Sequence, residues 1–112
     1  MAKINDELAN MEAEEFRKNN GTVIRTVMAA FKRGWFGIKD LTSTLSAYRL
    51  SLDDVMDSID YFEDRKYVEV RDRETKEVMR SADLDISDIE IRLTADGKLL
   101  GYQLISDDGI DL

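Results

Sequence analysis

The apolar positions in the first third of the chain recur at the spacing of one helix face. Ile4, Leu8 and Met11 follow one another at i, i+4 and i+7, which predicts a first helix. We expect this helix to end at residues 19–21, Asn-Asn-Gly, because both residue types tolerate the left-handed geometry of helix ends. Thr22 is then expected to cap a second helix. The apolar stripe of the second helix is Ile24, Val27, Met28 and Phe31.

The middle of the chain predicts a small strand followed by two helices. Residues 35–38 form a short apolar run that suits a strand, and residues 39–47 predict a short helix. Residues 51–64 predict a longer helix, which Ser51 caps together with Asp54 in a capping-box pattern. The inward stripe of this longer helix is Leu52, Val55, Met56, Ile59 and Phe62.

Beyond Lys66 the hydrophobic period changes from about 3.6 residues to 2, which indicates strands. Residues 67–71 predict one strand, residues 72–76 a polar turn, and residues 77–79 a second strand that pairs back. Residues 89–93 alternate between apolar and polar side chains, as a half-buried strand does.

The chain closes with a short helix and an acidic tail. Thr94 is expected to cap the helix and Gly101 to stop it. Residues 106–112 predict a loose acidic tail. The predicted organisation is an N-terminal helical extension (1–21), one domain (22–105) and the tail (106–112).

The predicted order of helices and strands resembles that of a winged helix-turn-helix domain. In this resemblance residues 39–64 correspond to the helix-turn-helix, and residues 67–93 to the strands and wing. The resemblance implies an α+β fold with a three-helix core and a small antiparallel β-wing. An extra N-terminal helix and a short C-terminal helix complete the expected fold.

Two segments carry a closer resemblance. Residues 51–71 (SLDDVMDSIDYFEDRKYVEVR) are similar to the helix and Val-Glu-Val strand of MarR-like winged helices. Residues 91–101 (IRLTADGKLLG) are similar to the Leu-Thr-x-x-Gly step that leaves their wing. With residues 105–110 (ISDDGI), the chain resembles small winged-helix proteins of Mu-like phages and prophages, over about residues 22–112. The apolar stripe of the N-terminal helix can pack on its own domain or on a second copy of the chain. MarR-like proteins dimerise through terminal helices, so the resemblance favours a homodimer through the N-terminal helix.

The composition argues against several classes of function. The chain has 112 residues, a net charge of −8, no Cys and no His, so thiolate and imidazole chemistry are excluded. We therefore expect no enzyme, no cofactor and no metal; the acidic residues 83–90 lack the spacing of a calcium loop. No apolar run approaches the ~18 residues of a membrane span, and residues 1–10 lack a signal-peptide core. A cytoplasmic protein without membrane contact is expected.

The predicted helix over residues 51–64 contains no Lys or Arg, although DNA-binding winged helices usually carry basic or amide side chains there. At 100° per residue its aspartates share one outward face, far from the apolar stripe. Three interpretations stay open: a solvated face, a surface for a basic protein partner, and docking into a DNA groove, which phosphate repulsion disfavours. The candidate partner-binding residues are Asp53, Asp54, Asp57, Asp60, Tyr61 and Asp64.

The basic residues support a competing hypothesis, in which the protein contacts the DNA backbone. Residues 22–50 carry five bases and one acid, a net charge of +4. In the wing, acids alternate with the bases, which favours an ion-paired hairpin over a phosphate clamp. The candidate contacts are Arg25, Lys32, Arg33, Lys39 and Arg49, with Arg71, Arg73, Lys76 and Arg80 from the wing. The leading hypothesis is a non-catalytic regulatory or protein-interaction module, and the alternative is a DNA-binding transcriptional regulator.

Overall fold

The computed structural model describes the backbone of residues 2–112 and the side chains of residues 6–112. In this part of the chain the fold is α+β, with four helices and a small antiparallel sheet of three strands. The elements are α1 (Ala2–Ala30), β1 (Phe36–Gly37), α2 (Ile38–Leu45), α3 (Leu52–Asp64), β2 (Val68–Asp72), β3 (Ile89–Leu93) and α4 (Ala95–Gly101).

Helix α1 is continuous over 29 residues, so the prediction of two helices separated at residues 19–21 is wrong. Asn20 is fully buried inside the helix, and its amide donates a 2.8 Å hydrogen bond to the carbonyl of Gly109. The hydroxyl of Ser58 donates a 2.7 Å bond to the side-chain oxygen of Asn20. Asn20 therefore joins α1 to α3 and to the C-terminal tail. Because these contacts satisfy its buried side chain, the helix continues through this position.

Gly21 does not end the helix; it lets the backbone of the C-terminal tail pack closely against α1. A Cβ atom at this position would lie 1.9 Å from the carbonyl oxygen of Asp111. The tail backbone thus rests directly on the glycine, a contact that any larger residue would block. The predicted boundary between an N-terminal extension and the domain lies inside one continuous helix.

The predicted helix pair in the middle of the chain is present. Helix α2 runs into a short 3-10 turn at residues 46–48, and Ser51 then caps α3. The Ser51 backbone donates to the Asp54 carboxylate at 2.9 Å, and the Asp54 backbone donates to the Ser51 hydroxyl at 3.1 Å. This reciprocal pair confirms the capping box that the sequence predicts.

The sheet has the order β1-β3-β2, with both pairs antiparallel. The predicted return strand over residues 77–79 is reduced to a single bridge between Arg71 and Val78. The chain diverges after Met79, where Arg80 turns toward α3. Residues 73–88 consequently form a long loop between β2 and β3, with two short 3-10 turns.

The C-terminal tail is not loose. Ile110 is buried in the core, and the backbone N–H of Asp111 donates to the carbonyl of Arg17 at 3.1 Å. The prediction was wrong because it rested on the acidic composition of the tail. The tail also contains one buried apolar residue, Ile110, and several polar groups that bond to residues far away in the sequence. The core joins α1, α2, α3 and the sheet; its fully buried side chains include Ile24, Val27, Leu41, Leu45, Val55, Ile59, Phe62, Ile91 and Leu100.

Candidate functional site

The outward face of α3 carries four exposed aspartates, at positions 53, 57, 60 and 64. Asp60 and Asp64 each form an ion pair. Arg80 reaches across from the wing loop to Asp64 at 2.9 Å and to Asp60 at 3.4 Å. Asp53 and Asp57, on the first half of the helix, have no ion pair among the described residues.

Arg80 also pairs with a buried acid, Glu63, which was not among the residues predicted from the sequence. The Glu63 side chain is 5% exposed, and Arg80 approaches it at 3.5 Å. Glu63 accepts a 3.0 Å hydrogen bond from the Ser81 backbone and another from the Ser81 hydroxyl. The hydrogen bond to Asp64 and the charges of Glu63 and Asp60 raise the pKa of Arg80 above its ordinary value. Arg80 is thus held in ion pairs with α3, although half of its side chain is exposed. The one sequence signal for Glu63 is its place next to Phe62, at the edge of the apolar stripe.

Tyr61 does not extend the outward face, in contrast to the prediction. Its ring packs edge-on against Phe16 of α1, with ring centres 5.1 Å apart. Its hydroxyl donates a 2.5 Å hydrogen bond to Asp107 of the tail. Position 61 lies on the side of α3 that meets α1 and the tail, and only the tertiary contacts reveal that this side is covered. Asp54 is half-buried, with its carboxylate committed to the helix cap.

Helices α1 and α3 together form an open groove of about 510 Å³. Among the side chains that the structure describes, four carboxylates line it, two from each helix, and no Lys or Arg does. Its apolar surface comes from Phe16 and two alanines one helix turn apart. The lining residues are Ala9, Glu12, Ala13, Glu15, Phe16, Asn19, Asp54, Asp57 and Ser58. Sequence reasoning found the α3 aspartates but missed Glu12 and Glu15, because the two helices are distant in the chain.

The first half of α1 also exposes apolar side chains. Leu8 is 53% exposed and Met11 is 66% exposed, while Phe16 is partly covered by Tyr61. Residues 6–16 carry five acids and no bases. This segment is therefore both acidic and partly apolar, a combination suited to contact with another chain.

Asp107 anchors the tail beneath the same two helices. Its side chain is 4% exposed and accepts 2.5 Å hydrogen bonds from the hydroxyls of Tyr61 and Tyr67. The Gly109 backbone donates at 2.8 Å, and Arg65 lies 3.5 Å away. Burial alone raises the pKa of Asp107, but these hydrogen bonds and the Arg65 charge outweigh it and bring the pKa below its usual value. Burial and the bond to Asp107 raise the pKa of Tyr67 to about 12.

Three of the four basic wing candidates are engaged within the protein. Besides Arg80, Arg71 bonds to Glu90 at 2.9 Å and stacks on the Trp35 ring at 4.0 Å. Lys76 approaches the same Glu90 at 3.4 Å. Although burial acts in the opposite direction, the hydrogen bonds from these two cations lower the pKa of Glu90. These bases are thus ion-paired, but with Glu90 of β3 and with acids of α3. The acids that alternate with them in the sequence, Asp72, Glu74 and Glu77, take part in no ion pair among the described residues.

The remaining basic candidates lie on separate elements. Arg25 donates a 3.3 Å bond to the Asp111 carbonyl, and Lys32 lies 5.9 Å from the centre of the Tyr102 ring. Several candidates have no carboxylate within 4.0 Å among the described residues: Arg25, Lys32, Arg33, Lys39, Arg49 and Arg73.

Over the residues that the structure describes, no helix combines the length and apolar character needed to cross a bilayer. The same residues contain no group of three or more acidic side chains arranged to hold a metal ion. Comparison of the chain with protein-family models, with curated proteins and with solved structures gives no match.

Proposed function

We propose that this chain is a non-catalytic interaction module whose groove between α1 and α3 binds a basic segment of a partner protein. The observation that carries the proposal is the lining of that groove. Glu12 and Glu15 on one helix line the groove with Asp54 and Asp57 on the other, and among residues 6–112 no Lys or Arg lines it. Such a surface attracts Lys and Arg side chains and repels phosphates.

The apolar part of the groove favours a helical ligand. Phe16 and the small side chains of Ala9 and Ala13 leave room for the apolar face of an amphipathic helix. Helix-in-groove recognition uses apolar anchors in the groove and charged contacts along its rim. The net charge of −8 adds a long-range attraction for a basic partner.

We also propose that the architecture is a winged helix-turn-helix of phage or prophage origin, acting in the host cytoplasm. The pair α2 and α3, the sheet order β1-β3-β2 and the loop over residues 73–88 support this assignment. In it, α3 takes the position of the helix that DNA-binding members insert into a groove. Its exposed Asp53 and Asp57 would meet a duplex that carries one phosphate per ~1.7 Å, which favours a protein partner.

A designed basic amphipathic helix provides a direct test. We expect the full chain to bind a fluorescent Lys-rich peptide of this kind, with weaker binding at higher salt. The double variant Glu12→Gln/Asp57→Asn should bind about tenfold more weakly, since two partly exposed ion pairs contribute together about 1.4 kcal/mol. Fluorescence anisotropy measures both affinities.

The matched control is Asp83→Asn/Asp85→Asn, which removes the same charge from exposed positions outside the groove. It should leave the affinity within about twofold of the parent chain. An equal loss for both double variants would mean that only net charge matters, and the groove would not be the site.

The competing proposal is a DNA-binding regulator that contacts phosphates through the C-terminal end of α1 and the wing loop. It is favoured by the absence of a nearby carboxylate around Arg33, Lys39 and Arg73 among the described residues. A salt-sensitive mobility shift with duplex DNA, lost on Arg73→Glu, would support it and overturn the protein-partner proposal. Arg80 is unsuitable for that test, because its loss would strip the buried Glu63 of its counter-charge.

A further inference from the structure

Helices α1 and α4 cross at very short range near their carboxyl ends. A Cβ atom on Gly101 would lie 2.4 Å from both Cγ and Sδ of Met28, so a larger residue there would displace the Met28 side chain. The close approach brings Lys98 of α4 beside the residues that follow α1. Together they border a small cavity of about 130 Å³, lined by Met28, Lys32, Arg33, Lys98 and Tyr102.

No carboxylate pairs with the three cations of this cavity among the described residues. By contrast, the wing bases Arg71, Lys76 and Arg80 are all ion-paired. Cations at the carboxyl end of a helix offset its dipole, which is equivalent to about half a negative charge. Two helix ends therefore account for about one of the three positive charges, and about two remain.

We propose that this cavity binds a phosphoryl group. A volume of about 130 Å³ suits one tetrahedral oxyanion and is well below the ~300–1,000 Å³ of pockets that take drug-sized ligands. Arg33 supplies a planar guanidinium fork, and the two lysines supply mobile ammonium groups, the side chains that phosphate recognition uses. Tyr102 also lines the cavity, and a tyrosine hydroxyl can donate a hydrogen bond to an anion.

This site is separate from the acidic groove. Met28 lies 16 positions beyond Glu12 on the same helix, which at 1.5 Å per residue is about 24 Å along its axis. The two ends of α1 thus carry opposite charge. Residues 6–16 contain five acids and no bases, and residues 17–33 contain five bases and no acids. The phosphate proposal rests on different residues from the proposed function, and each can fail alone.

The phosphoryl group can come from two sources, free phosphate compounds or a nucleic-acid backbone, and one titration distinguishes them. The full chain, labelled with ¹⁵N, is titrated with inorganic phosphate and, in a second sample, with a short DNA duplex. Sodium chloride of equal ionic strength is the reference. We expect phosphate to shift the amide signals of residues 28–34 and 98–102 beyond the effect of chloride. Tighter binding of the duplex through the same residues identifies the backbone as the source, and a response to phosphate alone identifies free phosphate.

Lys98→Gln should weaken phosphate binding about fivefold or more, as the loss of one charged contact of about 1 kcal/mol does. Lys18→Gln is the matched control, because Lys18 is an exposed cation of α1 outside the cavity. Circular dichroism checks that both variants fold. A phosphate response no larger than that of chloride, or equal weakening by both variants, would overturn the assignment.

Discussion

The hydroxyl of Tyr67 donates a 2.5 Å hydrogen bond to one carboxylate oxygen of Asp107, 40 residues later in the chain. Tyr61 donates to the other oxygen, so a single buried aspartate satisfies two tyrosines. This contact turns the acidic C-terminal tail into a structural element. It joins the tail to the end of α3, one of the two helices that form the acidic groove, and to Tyr67, just before β2.

Asp107→Asn should lower the free energy of unfolding by about 2–3 kcal/mol at neutral pH. The amide keeps the shape but loses the charge that strengthens the hydrogen bonds from Tyr61 and Tyr67. Urea unfolding followed by circular dichroism measures the loss. Asp108→Asn, an exposed neighbour, should change the stability by less than about 0.5 kcal/mol.

Comparison of the parent chain with Asp107→Asn also tests how the stability depends on pH. Asp107 has a lowered pKa in the folded state, so its stabilisation is present above its unfolded pKa of about 3.9 and is lost as pH falls through the folded value. The stability difference between the parent chain and Asp107→Asn should therefore shrink in acid. A difference that stays constant down to pH ~2 would contradict this role for the carboxylate.

Tyr67→Phe tests the alkaline side of the cluster. The pKa of Tyr67 is raised from 10.0 to about 12, so its stabilisation is complete below pH ~10 and is lost as pH rises toward ~12. The variant should lose about 1–2 kcal/mol at neutral pH and show a smaller further decline in alkali. Tyr48→Phe, at an exposed position, should follow the parent chain.

Gly21→Ala should destabilise the protein, against the usual preference of helices for alanine. Alanine in a helix interior normally gains about 0.5–1 kcal/mol over glycine. Here the new methyl would collide with the backbone oxygen of Asp111, which cannot rotate away, so we expect a net loss of about 1–2 kcal/mol. Asn10→Ala, on the exposed half of α1, should instead be neutral or slightly stabilising. A gain from Gly21→Ala would mean that the tail does not pack there.

The exposed apolar side chains at the start of α1 predict self-association. We expect a homodimer through residues 6–16, detectable by sedimentation, that Met11→Glu weakens at least about tenfold. Because this segment carries five acids and no bases, higher salt should strengthen the dimer by screening repulsion. Leu104→Gln removes an equally exposed apolar group elsewhere and should have no effect. A monomer at every concentration would exclude this interface.

The elements that the sequence predicted are those whose signals are local. Ser51 and Asp54 are three residues apart and cap α3 by themselves, and Thr94 caps α4 by accepting from the Gly97 backbone. The alternation of apolar and polar residues along β3 matches the alternation of buried and more exposed side chains in the strand. The winged-helix architecture and the partner of the groove depend on contacts between distant parts of the chain and on another molecule, which local signals do not specify.

The amino-acid sequence by itself determined the α+β class, the caps and strand of the second half, and the acidic outward face of α3, because short-range hydrogen bonds and side-chain periodicity specify them. Tertiary structure alone decided that α1 is continuous, that Arg80 is an ion-pair residue, and that the tail is anchored. Asn20 meets Gly109 at a separation of 89 residues, and Glu63 meets Ser81 at 18. At such distances a residue type that usually ends a helix or stays in solvent can instead become buried, when a distant partner satisfies its polar groups.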